Sequence, residues 1–122
     1  MSEIGSLEGL RILLVEDELS IATMLREYLH LSGAEVVETA STLSGAMASI
    51  QEQEFDVAVL DFVLPDGNAV SFAETLTAKG VRIVFHSGHF LSDDVQATLP
   101  GATFAQKPCD PDTLIRAIAG AN

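Results

Sequence analysis

Four short stretches carry side chains whose types could act together. Glu16-Asp17 follows the apolar run Leu10 to Val15, Asp61 follows Asp56 to Leu60, and Lys107-Pro108 follows Ala102 to Gln106. Ser87 closes a fourth run, Val81 to His86. If these runs are neighbouring parallel strands, three carboxylates, an ammonium and a hydroxyl meet at the carboxyl edge of a sheet, where open α/β folds bind ligands. Three close carboxylates repel one another, so such a cluster persists with a cation among them. Adjacent acids at a strand end suit Mg²⁺, which takes oxygen ligands and keeps several waters. A strand-end aspartate such as Asp61 can be a nucleophile toward a phosphoryl group, and a fixed ammonium at Lys107 would neutralise phosphate charge. Each piece alone has a plainer reading. Glu16-Asp17 could cap a helix, because acids are favoured at helix N-termini; Asp61 could cap a loop, and Lys107 and Ser87 could be solvated.

The elements that must hold these groups follow from the pattern between them. Ile21, Met24, Leu25, Tyr28 and Leu29 recur at three- and four-residue spacing and predict a first helix closed by Gly33. Glu35 to Ala40 is a second strand, polar enough for a sheet edge, and Leu43, Ala46, Met47 and Ile50 share one face of a second helix. The almost wholly apolar third strand, Asp56 to Leu60, is expected to be buried on both faces. Pro65-Asp66-Gly67-Asn68 marks a loop, followed by a third helix from Val70 to Ala78 and a fourth strand from Val81 to His86. Ser92 to Leu99 is a short helix stopped by Pro100-Gly101; Ala102 to Gln106 is the fifth strand. Pro111 to Ala119 is the last helix, with Asp110 as its N-cap. Five β-α units predict a parallel sheet with helices on both faces.

The chain has 122 residues, 48% of them hydrophobic, which suits one compact domain. The expected domain spans residues 8–120, with short termini at 1–7 and 121–122 and no output domain. Eighteen acids against six bases leave a net charge of −12, which argues against direct binding to nucleic acid or to an anionic membrane surface. The single cysteine, Cys109, cannot build an internal disulfide. No secretory signal is visible, and no apolar run approaches the roughly 20 residues needed to span a bilayer. The expected location is the cytoplasm.

Taken together, Leu13-Leu14-Val15-Glu16-Asp17-Glu18, Val59-Leu60-Asp61-Phe62-Val63-Leu64-Pro65-Asp66-Gly67, His86-Ser87-Gly88 and Phe104-Ala105-Gln106-Lys107-Pro108 resemble the receiver domain of bacterial two-component response regulators. Any one motif is weak, but all four occur in the family's order and span nearly the whole chain. The resemblance implies a (βα)5 flavodoxin-like, doubly wound sheet of strand order 2-1-3-4-5. It implies Asp61 as phosphoacceptor and Glu16, Asp17, Asp61 and the Val63 backbone carbonyl as Mg²⁺ ligands, with Mn²⁺ an acceptable substitute. Ser87 and Lys107 would contact the phosphoryl oxygens, Phe104 would be the aromatic switch that follows Ser87, and the Lys107–Pro108 peptide would be cis. Val63 and His89 resemble positions that tune phosphoryl lifetime.

The implied function is a single-domain response regulator rather than an ordinary enzyme, catalysing only its own phosphorylation and dephosphorylation. Its partners would be a sensor histidine kinase or histidine phosphotransfer protein and a downstream protein target. It would be a monomer or a weak phosphorylation-dependent dimer, and could serve as a relay intermediate or phosphate sink. The alternative is a receiver-like interaction module that works without phosphorylation. A haloacid dehalogenase-type hydrolase would need an aspartate where Val63 stands. An FMN carrier would need a Ser/Thr/Gly-rich loop after the first strand. The family usually has glycine at Ala69, in the loop after the acceptor strand, and alanine tolerates positive φ poorly. His86 and Cys109 are expected to pack, and His30 to lie near the surface.

Overall fold

Five short runs build one parallel sheet: β1 (Arg11–Val15), β2 (Val36–Ala40), β3 (Val57–Leu60), β6 (Arg82–Ser87) and β7 (Thr103–Gln106). They come from a computed structural model that describes residues 6–88 and 91–120. The order is β2-β1-β3-β6-β7, which is 2-1-3-4-5 when the sheet strands are counted along the chain. β3 is central and all four of its residues are buried, as its unbroken Val-Ala-Val-Leu run requires. Polar β2 sits at one edge and β7 at the other. A small antiparallel hairpin, β4 (Val63–Leu64) with β5 (Gly67–Asn68), follows β3 in the segment read from sequence as a loop.

Alternation along the strands divides the interior into two cores. Ile12 and Leu14 of β1 pack with Ala22, Leu25 and Leu29 of α1 (Leu19–Leu31) and with Leu114, Ile115 and Ile118 of α5 (Pro111–Ala119). Leu13 and Val15 point the other way, toward Ala46 of α2 (Leu43–Glu52) and Phe72, Ala73 and Leu76 of α3 (Val70–Ala78). Leu7 is fully buried in the first of these cores, and its amide donates to Ser32 O at 2.9 Å. The doubly wound architecture expected from the sequence is thus present.

The expected apolar face of α1 is wider than the buried one. Met24 and Tyr28 are 47% and 41% exposed, because the helix meets the sheet along the narrower Ala22-Leu25-Leu29 stripe. α4 (Asp93–Thr98) is two residues shorter than expected and buries none of its own side chains; Leu91 and Leu99, just outside its ends, are the residues that enter the core. Asp110 caps α5, its carboxylate accepting from Thr113 N at 2.8 Å. Ala69 has φ −88° and is wholly buried, so this loop asks for no positive φ and the methyl fills core space that a glycine would leave empty.

Candidate functional site

Sheet hydrogen bonding runs one residue past the strands and fixes where the charged groups begin. Glu16 N donates to Ala40 O and Asp61 N to Val15 O, each at 3.0 Å, and Lys107 N donates to Ser87 O at 2.9 Å. The register opposes Val15 to Leu60 and Ser87 to Gln106. The residues that follow, Glu16, Asp61 and Lys107, therefore share one edge of the sheet. The Lys107–Pro108 peptide is cis.

The side chains then converge. Lys107 Nζ lies 2.6 Å from Glu16 Oε1 and 3.1 Å from Asp61 Oδ2. Glu16 Oε2 accepts the Glu18 amide at 3.1 Å, so both oxygens of that carboxylate are engaged. Carboxylate oxygens of Glu16, Asp17 and Asp61 all lie within 4.8 Å of one another. An ion with Mg–O bonds of about 2.1 Å accepts ligand oxygens up to about 4.2 Å apart. Asp17 is the exposed member of the three. Three hard oxygen donors suit a divalent cation of this class.

The electrostatics of the corner oppose burial to pairing. Burial pushes the Glu16 carboxyl above its ordinary range and the nearby Asp61 charge adds to this, although Lys107 and the Glu18 amide pull it back. Burial works against the Lys107 ammonium, but its hydrogen bonds to Glu16 and Asp61 outweigh that and hold its pKa above normal. His86, buried one residue before Ser87, is driven down by burial and by the Lys107 charge, so its imidazole is held neutral near pH 7. Burial likewise raises the Cys109 thiol, which removes thiolate character.

Ser87 and Phe104 lie on the flank of this corner. Ser87 is buried at the end of β6, while Phe104 on edge strand β7 is 36% exposed. Phe104 stacks on the buried Phe85 ring at 5.5 Å and 10°, and Phe62 meets the same Phe85 ring edge-on at 6.2 Å. A cavity of about 60 Å³ lies between Phe85, Ser87, Leu91, Gln96, Phe104 and Ala105. Val63, in β4, is 43% exposed. His89 lies outside the described residues.

The structure thus brings Glu16, Asp17, Asp61 and Lys107 into one cluster, with Ser87 tied to Lys107 through the backbone and Phe104 reaching the flank through Phe85. Sequence reasoning missed the unequal roles of the two adjacent acids: Glu16 is buried and bonded, whereas Asp17 is exposed. It also missed Asp66. That carboxylate accepts Leu43 N at 2.9 Å and Ser44 N at 3.0 Å, and these amides hold its pKa down. No local pattern could reveal a helix cap supplied from so far along the chain.

Among the described residues no helix is long and apolar enough to cross a membrane. Residues 12–119 match the response regulator receiver domain family. Over 113 residues the chain is 36% identical to the alginate biosynthesis transcriptional regulatory protein AlgB of Pseudomonas aeruginosa, which covers 89% of this chain and 25% of that protein. It is 33% identical to the transcriptional regulatory protein KdpE of Mycobacterium tuberculosis, covering 90% of this chain and 50% of the relative. The chain spans half or less of the length of these curated relatives. Among solved structures, a CheY-like receiver domain from Methanospirillum hungatei superposes with a TM-score of 0.83 at 26% identity, covering 93% of each chain. The beryllofluoride-activated NtrC4 receiver domain dimer gives 0.78 at 31% identity, covering 91% of this chain and 94% of that one. By this match, together with the 2-1-3-4-5 sheet and the acidic corner, the chain belongs to the response regulator receiver domains of two-component systems.

Proposed function

We propose that the protein accepts a phosphoryl group from a partner's phosphohistidine onto an Asp61 carboxylate oxygen. A bond from that oxygen to phosphorus forms as the phosphorus–nitrogen bond breaks. The donor imidazole keeps the electron pair and takes a proton from solvent. Catalysis is then a matter of positioning and charge neutralisation, as is general for phosphoryl transfer. Glu16, Asp17, Asp61 and the Val63 backbone carbonyl would hold Mg²⁺, or Mn²⁺ in its place. When bound, the ion supplies positive charge among the carboxylates and the phosphoryl oxygens. Lys107 binds one phosphoryl oxygen and the Ser87 hydroxyl donates to another. The observation that carries this reading is the single ammonium of Lys107 bonded to both Glu16 and Asp61 within a three-carboxylate cluster.

Movement of Ser87 toward the new phosphoryl group would bias the Phe104 ring between two positions, a population shift read by a protein partner. Output by protein contact fits the strongly acidic charge better than contact with nucleic acid. Val63, and His89 by its place in the sequence, would slow hydrolysis of the adduct by shielding it from water. Incubation with acetyl phosphate and Mg²⁺, followed by intact-mass measurement, tests the proposal. The expected result is one added phosphoryl group on wild type and none on Asp61→Ala. An unmodified wild type under conditions that phosphorylate a control receiver would point instead to an interaction module that works without phosphorylation.

A further inference from the structure

The β4–β5 hairpin stands between the Asp61 strand and α3 and is held at several points. Leu64 is buried in the core, Ala69 N donates to Phe62 O at 2.9 Å, and Val70 N donates to Asn68 Oδ1 at 3.1 Å. These bonds close the base of the hairpin. Its tip is held from elsewhere. Asp66 places one carboxylate oxygen on Leu43 N and the other on Ser44 N, in the first turn of α2. Helix starts leave their first amides without intrahelical partners, so this cap is structurally useful to α2. Yet α2 already has a local cap, because Thr42 Oγ1 accepts Gly45 N at 3.0 Å. The same two bonds tie the hairpin tip to the helix. At its tip Gly67 comes close to α2: a Cβ there would meet Leu43 Cδ1 at 3.6 Å.

We propose that Asp66 is a positioning residue: by clamping the hairpin tip to the start of α2, it sets where the Val63 backbone stands beside the acidic cluster. The inference rests on the reading of Glu16, Asp17, Asp61 and the Val63 carbonyl as one cation site. Asp66 touches neither the cation nor the phosphoryl group. It acts through the hairpin, as partners outside a ligand set generally orient the ligands themselves. Because Leu64 and the Phe62–Ala69 bond remain, loss of Asp66 loosens the tip without unfolding the hairpin.

Titration of Mn²⁺ followed by water-proton relaxation tests this without any phosphorylation, on wild type and on Asp66→Ala, Thr42→Ala and Asp61→Ala. Thr42→Ala removes a cap of the same helix and leaves the hairpin alone. Partners of this kind typically change metal affinity 10- to 100-fold. Asp66 acts one step further out, so Asp66→Ala is expected to weaken Mn²⁺ binding by about threefold to tenfold and to shift the Val63 amide resonance. Thr42→Ala should lower the melting temperature and leave Mn²⁺ affinity unchanged. Asp66→Ala that lowers the melting temperature as Thr42→Ala does, with wild-type Mn²⁺ affinity, overturns the inference and leaves Asp66 a helix cap only. Wild type that takes up no Mn²⁺, or Asp61→Ala that binds as tightly as wild type, overturns the cation site and this inference with it.

Discussion

At the acidic corner every charged group except exposed Asp17 has a fixed partner: Lys107 bonds Glu16 and Asp61, and Glu16 also accepts the Glu18 amide. The flank around Phe104, on the strand that delivers Lys107, is built differently. Its helix α4 buries none of its six residues and is secured by Leu91 and Leu99 at its ends. Phe104 rests on Phe85 with more than a third of its surface exposed, beside a cavity of about 60 Å³. The corner has one arrangement enforced by charge and hydrogen bonds. The flank has room and little to lose by repacking, and regions with few buried apolar contacts open at low free energy. In this reading chemistry is assigned to the rigid region and readout to the loose one.

The largest expected effect comes from removing the ammonium that organises the corner. Lys107→Ala leaves Glu16 and Asp61 facing each other without a fixed cation and takes a donor from the phosphoryl group. Loss of one such preorganised donor slows reactions by about 10²–10³-fold. Acetyl-phosphate labelling of Lys107→Ala should therefore slow by about 10²-fold. Labelling within threefold of wild type would mean that the paired ammonium is structural and that the corner is less specialised than its geometry implies.

The two stacked rings compare the regions directly. Phe85→Ala empties a fully buried site and should cost about 3–5 kcal/mol in chemical denaturation. Phe104→Ala removes a partly exposed ring whose pairing is worth about 0.5–1.5 kcal/mol beyond the area it buries. Phe104→Ala should stay folded, label on Asp61 at close to the wild-type rate, and lose affinity for any partner that prefers the phosphorylated form. If Phe104→Ala destabilises the protein as much as Phe85→Ala, the flank is a true part of the core and the contrast collapses.

The two regions also differ in how much of them sequence could reveal. Glu16-Asp17, Asp61 and Lys107 each follow an apolar strand, so charge at a strand end marks them even before the strands are assembled. The sheet was legible for the same reason, since runs such as Val57 to Leu60 have one sensible environment. What stayed hidden was relational. Nothing around Asp66 points to amides more than twenty residues earlier, and Ala69 looks like a misplaced residue until its φ of −88° is known. The excess apolar surface of α1 at Met24 and Tyr28 could not be told from its buried stripe, because periodicity marks a face without giving its width. Phe104 was marked as aromatic, but its stacking on Phe85 depends on the β6–β7 register.

The smallest effect is expected at His86, buried one residue before Ser87 at the end of β6 and within reach of the Lys107 and Asp61 charges. Burial and the Lys107 charge lower its folded-state pKa below the unfolded value near 6.5, so the unfolded chain binds the proton more readily. Its contribution to stability is therefore fully present above about pH 6.5 and is lost as pH falls through that value toward the lower folded pKa. Glu16 has the opposite sign, because its raised carboxyl pKa favours the protonated folded form and stability falls as pH rises past the unfolded value of 4.5. The two effects have opposite signs, and only the first disappears in His86→Val. Melting temperatures between about pH 7.5 and about pH 5.5, around the ordinary histidine range, should fall less in His86→Val than in wild type. Parallel curves would mean that the imidazole reaches solvent freely in the folded state. The end of β6 would then belong with the loose flank, and the boundary of the rigid corner would fall at Lys107 instead.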